Sequence, residues 1–216
     1  MYSVKEAFYS LQGEGARTGR PSVFCRFTGC NLWSGRESDR ATSLCRFCDT
    51  DFIGTDGQNG GRFAEAEQLA THLAALWPDG SERAVPYVVF TGGEPLLQLD
   101  AALIAAMHAR GFEIAVETNG TLPPPDGIDW LCVSPKGRAG LAITRGDELK
   151  LVYPQPDALP SRFATLDFRH FYLQPMDTRP AALPDDEPPL AATLAFCLAH
   201  PQWHLSLQTH KQLGID

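Results

Sequence analysis

Short apolar runs alternate with helical spacings along most of this 216-residue chain. The runs at 22–27, 87–90, 114–116, 131–133, 149–152, 171–173 and 203–207 predict strands. Between them, 68–77 predicts a helix, because Leu69, Leu73, Leu76 and Trp77 fall on one face. A second helix is predicted over 100–110, with Leu103, Ile104 and Met107 inward and Gly111 where a helix-ending glycine belongs. A third spans 190–200, with Leu194, Cys197 and Leu198 on one face. Strands that are apolar throughout predict a parallel sheet covered on both faces. Several strand-to-strand connections carry no long helical pattern, so the expected fold class is a trimmed α/β array. Pro123-Pro124-Pro125 and the stretch 180–189 read as loops rather than boundaries, which makes 1–216 a single domain.

Composition adds limits. With 44% hydrophobic and 20% charged residues, the chain has the make-up of a soluble globular protein. A net charge of −8 speaks against nucleic acid or an anionic membrane held by bulk electrostatics. No apolar run approaches the ~20 residues of a membrane span, and the first six residues lack the apolar core of an export signal. The expected compartment is the cytoplasm, where a group of cysteines is more often metal-binding or catalytic than disulfide-bonded. Three of the six cysteines, Cys25, Cys132 and Cys197, sit in apolar segments and are expected to be small buried hydrophobes.

The segments that follow the strands carry chemistry. The run at 87–90 ends in Thr91-Gly92-Gly93-Glu94, and that at 114–116 in Glu117-Thr118-Asn119-Gly120. The run at 131–133 ends in Ser134-Pro135-Lys136, and that at 171–173 in Gln174-Pro175-Met176-Asp177. In parallel α/β sheets and barrels, sites are built at the carboxyl ends of the strands. Strand-ending and helix-capping habits explain any one of these polar groups; they explain all four together poorly.

The remaining cysteines form a spacing of their own. Cys30 is followed after fourteen residues by Cys45 and after two more by Cys48, then Asp49, Thr50 and Asp51. A structural zinc site is closed by four ligands, whereas three thiolates on a [4Fe–4S] cluster leave one iron open to a small molecule. From this stretch alone a cluster, a zinc knuckle with a histidine as fourth ligand, and coincidence all stand.

Taken with the strand ends, the three thiols and Gly92-Gly93-Glu94 resemble the radical S-adenosylmethionine enzymes. The fourteen residues between the first two thiols depart from the usual three. Further motifs narrow the match: Ser10-Leu11-Gln12-Gly13-Glu14-Gly15, Phe24-Cys25-Arg26-Phe27, Cys48-Asp49-Thr50, Glu117-Thr118-Asn119-Gly120, Ser134-Pro135-Lys136 and Gln208-Thr209-His210-Lys211. Together they are similar to the 7-carboxy-7-deazaguanine synthase family, part of which has the same long insert. The resemblance implies a partial (β/α) barrel and the contraction of 6-carboxy-5,6,7,8-tetrahydropterin to 7-carboxy-7-deazaguanine with loss of ammonia. It also implies a [4Fe–4S] cluster, S-adenosylmethionine, Mg2+, a homodimer and a flavodoxin- or ferredoxin-type electron donor. A zinc-stabilised binding module is the competing reading. A radical activase acting on a partner protein is another, against which the loop Gln12-Gly13-Glu14 and the short chain argue.

Carried over position by position, the resemblance makes Cys30, Cys45 and Cys48 the cluster ligands and puts Phe47, Cys48 and Asp49 beside S-adenosylmethionine. Gly93 lets backbone approach the cofactor, and Glu94 accepts from its ammonium group. Asn119, Ser134, Pro135 and Lys136 take its ribose and carboxylate; Gln174, Pro175, Met176 and Asp177 hold its adenine end. Thr50 is the implied Mg2+ ligand. Leu11, Gln12, Gly13 and Glu14 form the implied substrate segment, since a pterin presents a donor-rich edge that carbonyls and a carboxylate suit. Arg26 is placed to grip the substrate carboxylate, with Thr91 and Glu117 also in the site. Lys150 receives no role from the sequence. The last residues are frayed by default, but the resemblance implies that His210 and the α-carboxylate of Asp216 reach the substrate.

Overall fold

The computed structural model of the chain describes residues 1–80, 83–177 and 188–216. Among these residues are nine strands: β1 Tyr2–Leu11, β2 Pro21–Phe27, β3 Gly61–Phe63, β4 Tyr87–Gly92, β5 Glu113–Thr118, β6 Trp130–Val133, β7 Arg145–Tyr153, β8 Asp167–Pro175 and β9 His204–Leu205. The helices are α1 Ala66–Ala74, α2 Ala101–His108, α3 Pro189–Ala199 and α4 Thr209–Leu213. All nine strands join one sheet in the order β3-β1-β2-β4-β5-β6-β7-β8-β9. From β2 to β9 every neighbouring pair is parallel. β1 is antiparallel to both β2 and β3. The two ends do not pair, so the sheet is a barrel left open.

Side chains alternate across the sheet, and the two faces differ in chemistry. Val23, Cys25, Phe27, Val88, Phe90, Ile114 and Val116 point outward and pack with Leu69, Leu73, Leu103 and Met107 of α1 and α2. Leu149, Leu151, Phe171 and Leu173 make a second outer core with Trp203, flanked by Phe196 and Cys197 of α3. α2 opens on Asp100, whose carboxylate accepts from Leu103 N at 2.9 Å and from the Tyr2 hydroxyl at 2.7 Å. It is followed by Gly111 at φ 76°, a left-handed position that glycine takes without strain. The inner face carries a small apolar plug of Tyr87, Val89, Ala115, Trp130 and Cys132. Beyond the plug it turns polar, with Arg26, Thr91, Glu117, Lys150 and Gln174 all lining one cavity.

Several expectations are corrected. The sheet is not apolar on both faces: Lys150 interrupts the run at 149–152, Glu148 immediately precedes it, and both are buried. The run at 22–27 is the second strand, preceded by ten residues of β1; an irregular register between Val4 and Glu6 breaks the alternation that would have marked it. The helix expected over 68–77 covers Ala66–Ala74 instead, though Leu76 and Trp77 still pack on the core. On α3, Leu194 and Leu198 are exposed and Cys197 is only partly buried; Thr193 is the buried residue there. The strand expected over 203–207 shrinks to His204–Leu205. The last residues, frayed by default, form α4. Of the loop expected at 180–189, residues 180–187 lie outside the described residues.

Candidate active site

The carboxyl ends of the parallel strands surround a cavity of about 470 Å³. One wall is the cysteine loop. Cys45 and Cys48 line the cavity, while Cys30 stands behind them. All three thiols share an apolar cluster with Leu32, Trp33, Phe52 and Ala139. The Cys45 thiol hydrogen-bonds to Cys48, which holds the Cys48 thiol below its ordinary pKa despite burial. Burial pushes the Cys30 thiol up. Among the described residues, no three His, Cys, Asp or Glu side chains stand close enough together to enclose a metal ion. The donor set is nonetheless one that suits iron–sulfur chemistry, three soft sulfurs in an apolar shell with no carboxylate among them.

The fourteen-residue insert and the strand ends brace this loop. Arg40 stacks over Trp33 at 4.1 Å. Its guanidinium donates to the carbonyls of Arg46 at 3.1 Å and Cys48 at 3.0 Å. From the other side, Gly93 N donates to Phe27 O and Glu94 N to Gly29 O at 2.9 Å. A Cβ on Gly93 would lie 2.1 Å from Gly29 O and 2.9 Å from Cys30 Cβ. The glycine is therefore needed for the approach of the thiol loop itself, a reason other than the cofactor contact expected from sequence. Asn119 Nδ2 donates to Asn31 Oδ1 at 2.9 Å, tying the end of β5 to the residue after Cys30.

Glu94 is fully buried and does not line the cavity. Its oxygens accept from Leu96 N at 3.0 Å, Thr118 Oγ1 at 2.7 Å and Asn119 N at 2.8 Å. Pro135 and Met176 also lie behind the lining. Ser134 and Lys136 do line it, with the Lys136 ammonium donating to both oxygens of Ser134 and facing the Phe47 ring at 6.0 Å. Thr50 lines the cavity between Asp49 and Asp51, and no partner among the described residues takes its hydroxyl.

The opposite wall is built from charges. Arg26 Nε donates to Glu6 at 2.8 Å and lies in register with Thr91. Beside them Phe8 and Phe24 stack with ring centroids 5.3 Å apart, a flat apolar surface at the cavity's edge. Lys150 Nζ reaches Glu14 at 2.5 Å and Glu117 at 3.2 Å. Gln12 Nε2 donates to Glu117 at 2.9 Å, and Gln174 and Gln208 both donate to Glu14, at 3.1 and 3.0 Å. Burial alone would raise the Glu14 carboxyl, but the Lys150 charge and the Gln208 donor bring it down to about 2. His210 packs against Gly13, where a Cβ would meet its ring at 2.1 Å, and burial lowers its pKa. Thr209 anchors α4 by donating to Gly13 O at 2.9 Å, and Ser10 Oγ donates to the Asp216 carbonyl oxygen at 2.8 Å. Leu11, Gln12, Gly13, Glu14, His210 and Asp216 thus share one wall although they come from the two ends of the sequence.

Several lining residues escaped the sequence reading, Phe8, Phe24 and Gln208 among them. Lys150 sits in a run that scores as strand core. Lys211 bridges Asp49 at 2.6 Å and Asp177 at 2.7 Å. Lys5 pairs with Asp51 at 2.9 Å, beside Thr50, and Glu6 holds Arg26. The usable signal was a lysine on the inward-facing positions of a buried strand, a residue type rarely buried unless paired.

Residues 38–153 match the model of the Radical SAM superfamily. The chain is 64% identical to the 7-carboxy-7-deazaguanine synthase of Bordetella pertussis and 61% identical to that of Caulobacter vibrioides, over 99% of each pair of chains. The crystal structure of QueE from Escherichia coli superposes with a TM-score of 0.65 at 26% identity, over 95% of this chain and 93% of that one.

Proposed function

The chain belongs to the 7-carboxy-7-deazaguanine synthase family of the radical S-adenosylmethionine superfamily, and from that membership we infer its reaction, substrate and site. It is an enzyme that converts 6-carboxy-5,6,7,8-tetrahydropterin to 7-carboxy-7-deazaguanine with loss of ammonia, in 7-deazapurine (queuosine) biosynthesis. The observation that carries this reading is a single cavity shared by the cysteine loop, the Glu14–Lys150–Glu117 group and Arg26. The continuous sheet from β1 to β9 supports one catalytic domain over 1–216.

Cys30, Cys45 and Cys48 would hold the [4Fe–4S] cluster in this proposal, on the apolar cluster they share. Cluster and S-adenosylmethionine, when bound, supply one-electron cleavage of the sulfonium and a hydrogen-atom abstractor. Ser134, Lys136, Asn119, Gln174 and Asp177 orient S-adenosylmethionine, with Glu94 and Gly93 setting the strand end that faces it. Across the cavity, Arg26 pairs with the substrate carboxylate, and Gln12, Glu14 and Glu117 accept from the donor-rich ring edge. Phe8 and Phe24 offer the flat ring a stacking surface. His210 and Asp216 complete that wall. Thr50, its hydroxyl without a protein partner among the described residues, contributes to Mg2+, which prefers oxygen ligands and keeps several waters.

The proposed assembly is a homodimer in the cytoplasm that takes electrons from a flavodoxin- or ferredoxin-type donor. Among the described residues no helix is long and apolar enough to cross a membrane. The test is an anaerobic turnover assay with 6-carboxytetrahydropterin, S-adenosylmethionine and a chemical reductant, followed by mass spectrometry. The expected products are 7-carboxy-7-deazaguanine and ammonia. Cluster-loaded protein that cleaves S-adenosylmethionine yet leaves the pterin unchanged would overturn the substrate.

A further inference from the structure

Among the described residues, Lys150 joins two carboxylates on the inner face. Its side chain is 5% exposed, yet it projects from β7 between two carboxylates that arrive from elsewhere, Glu14 after β1 and Glu117 on β5. The carboxylate oxygens that do not face Lys150 are aligned in turn: Glu117 Oε1 accepts from Gln12, and Glu14 Oε1 from Gln174 and Gln208. The other ionisable groups facing this set are Glu148 on β7, Cys132 on β6, Tyr87 on β4, Arg17 beneath the cavity and His210 on α4. Two carboxylates at one buried position repel, and without a cation between them one takes up a proton. A protonated carboxyl would turn an O–H toward the ring edge where an acceptor is required.

We propose that Lys150 is the specificity-determining positioning residue of the substrate wall. By standing between Glu14 and Glu117 it keeps both as acceptors, and so selects a ligand whose facing edge is made of N–H donors, an amino-pyrimidinone ring. The proposal rests on the reading of Glu14 and Glu117 as substrate contacts. Lys150 itself touches the carboxylates and acts through them. A merely structural ion pair would hold the fold together without setting what the carboxylates accept.

The experiment measures binding of 6-carboxypterin, by its fluorescence, to cluster-loaded protein with S-adenosylmethionine under anaerobic conditions, from about pH 6 to about pH 8. Native protein is expected to bind equally across this range. Lys150→Met is expected to bind roughly tenfold to a hundredfold more weakly near pH 6, the loss of one charge-assisted acceptor. It should recover as the pH rises and the carboxylate ionises. Lys150→Arg should restore a flat profile, and S-adenosylmethionine affinity should be unchanged in all three. A Lys150→Met protein with native affinity and a flat profile overturns the proposal. So does uniform weakening at every pH that Lys150→Arg does not rescue, since that is a purely structural effect. If Lys150→Met does not fold, Lys150→Met/Glu117→Gln removes one charge of each sign; a flat profile is expected from it, and a steep one overturns the proposal. Glu14→Gln separates the two readings: native pterin affinity in that protein would overturn the substrate wall itself rather than the role of Lys150.

Discussion

The two faces of β7 show how differently one strand can be used. Glu148, Leu149, Lys150 and Leu151 are 2%, 0%, 4% and 0% exposed, so burial does not distinguish them. The two leucines point outward into a continuous apolar core, where many neighbours share each contact. The two charged residues point inward, each held by specific partners: Lys150 by Glu14 and Glu117, and Glu148 by Ala16 N at 3.1 Å. Outer positions contribute stability through area and packing. Inner positions cost desolvation and are kept in place by pairing. Changes on the outer face should therefore appear as lost stability, and changes on the inner face as lost chemistry.

The largest contrast is expected among the cysteines. Cys30→Ala should abolish both turnover and the iron–sulfur absorbance. Cys25→Ala, on the outer face, should retain both and lose only about 1 kcal/mol of stability. Reconstitution followed by iron analysis, turnover and thermal melting checks the pair, and an active Cys30→Ala protein would remove that residue from the ligand set.

Next in size is the outer core of β7. Leu151→Ala should destabilise the fold by about 2–5 kcal/mol while leaving the KM for the pterin near native, as read by denaturant titration and steady-state kinetics. A large KM change with little lost stability would break the division between faces.

A smaller effect concerns acid. The folded-state pKa of Glu14, about 2, lies below its ordinary 4.5. Its contribution to stability is then fully present above about 4.5 and lost as the pH falls from there toward 2. Melting temperatures measured through this window should fall less steeply in Glu14→Gln than in the native protein. Parallel curves would show that the Glu14–Lys150 pair contributes nothing to stability.

The smallest effect is expected at Thr50. Thr50→Ala should weaken the stimulation of turnover by magnesium about severalfold, because one of roughly six oxygen ligands is lost. Cluster content should not change. Superposable magnesium titrations for the two proteins would make Thr50 a turn residue and nothing more.

What the sequence determined by itself was local. Periodic apolar positions placed α1 to α3 and most parallel strands to within a few residues, because amphipathic spacing depends only on near neighbours. The polar groups after four strands, and the spacing of Cys30, Cys45 and Cys48, were legible for the same reason. β1 was lost because its register slips after Val4. The face of α3 was misjudged because apolar spacing says which residues share a side, not whether anything covers it. Only the tertiary structure decided that Lys150 belongs to the candidate site. Its partners lie 136 and 33 residues away in sequence. They meet because the parallel register turns the inward positions of β5 and β7 toward the segment after β1. Lysine inside a buried strand is unfavourable alone, and its partners are chosen by the fold rather than by any neighbouring residue.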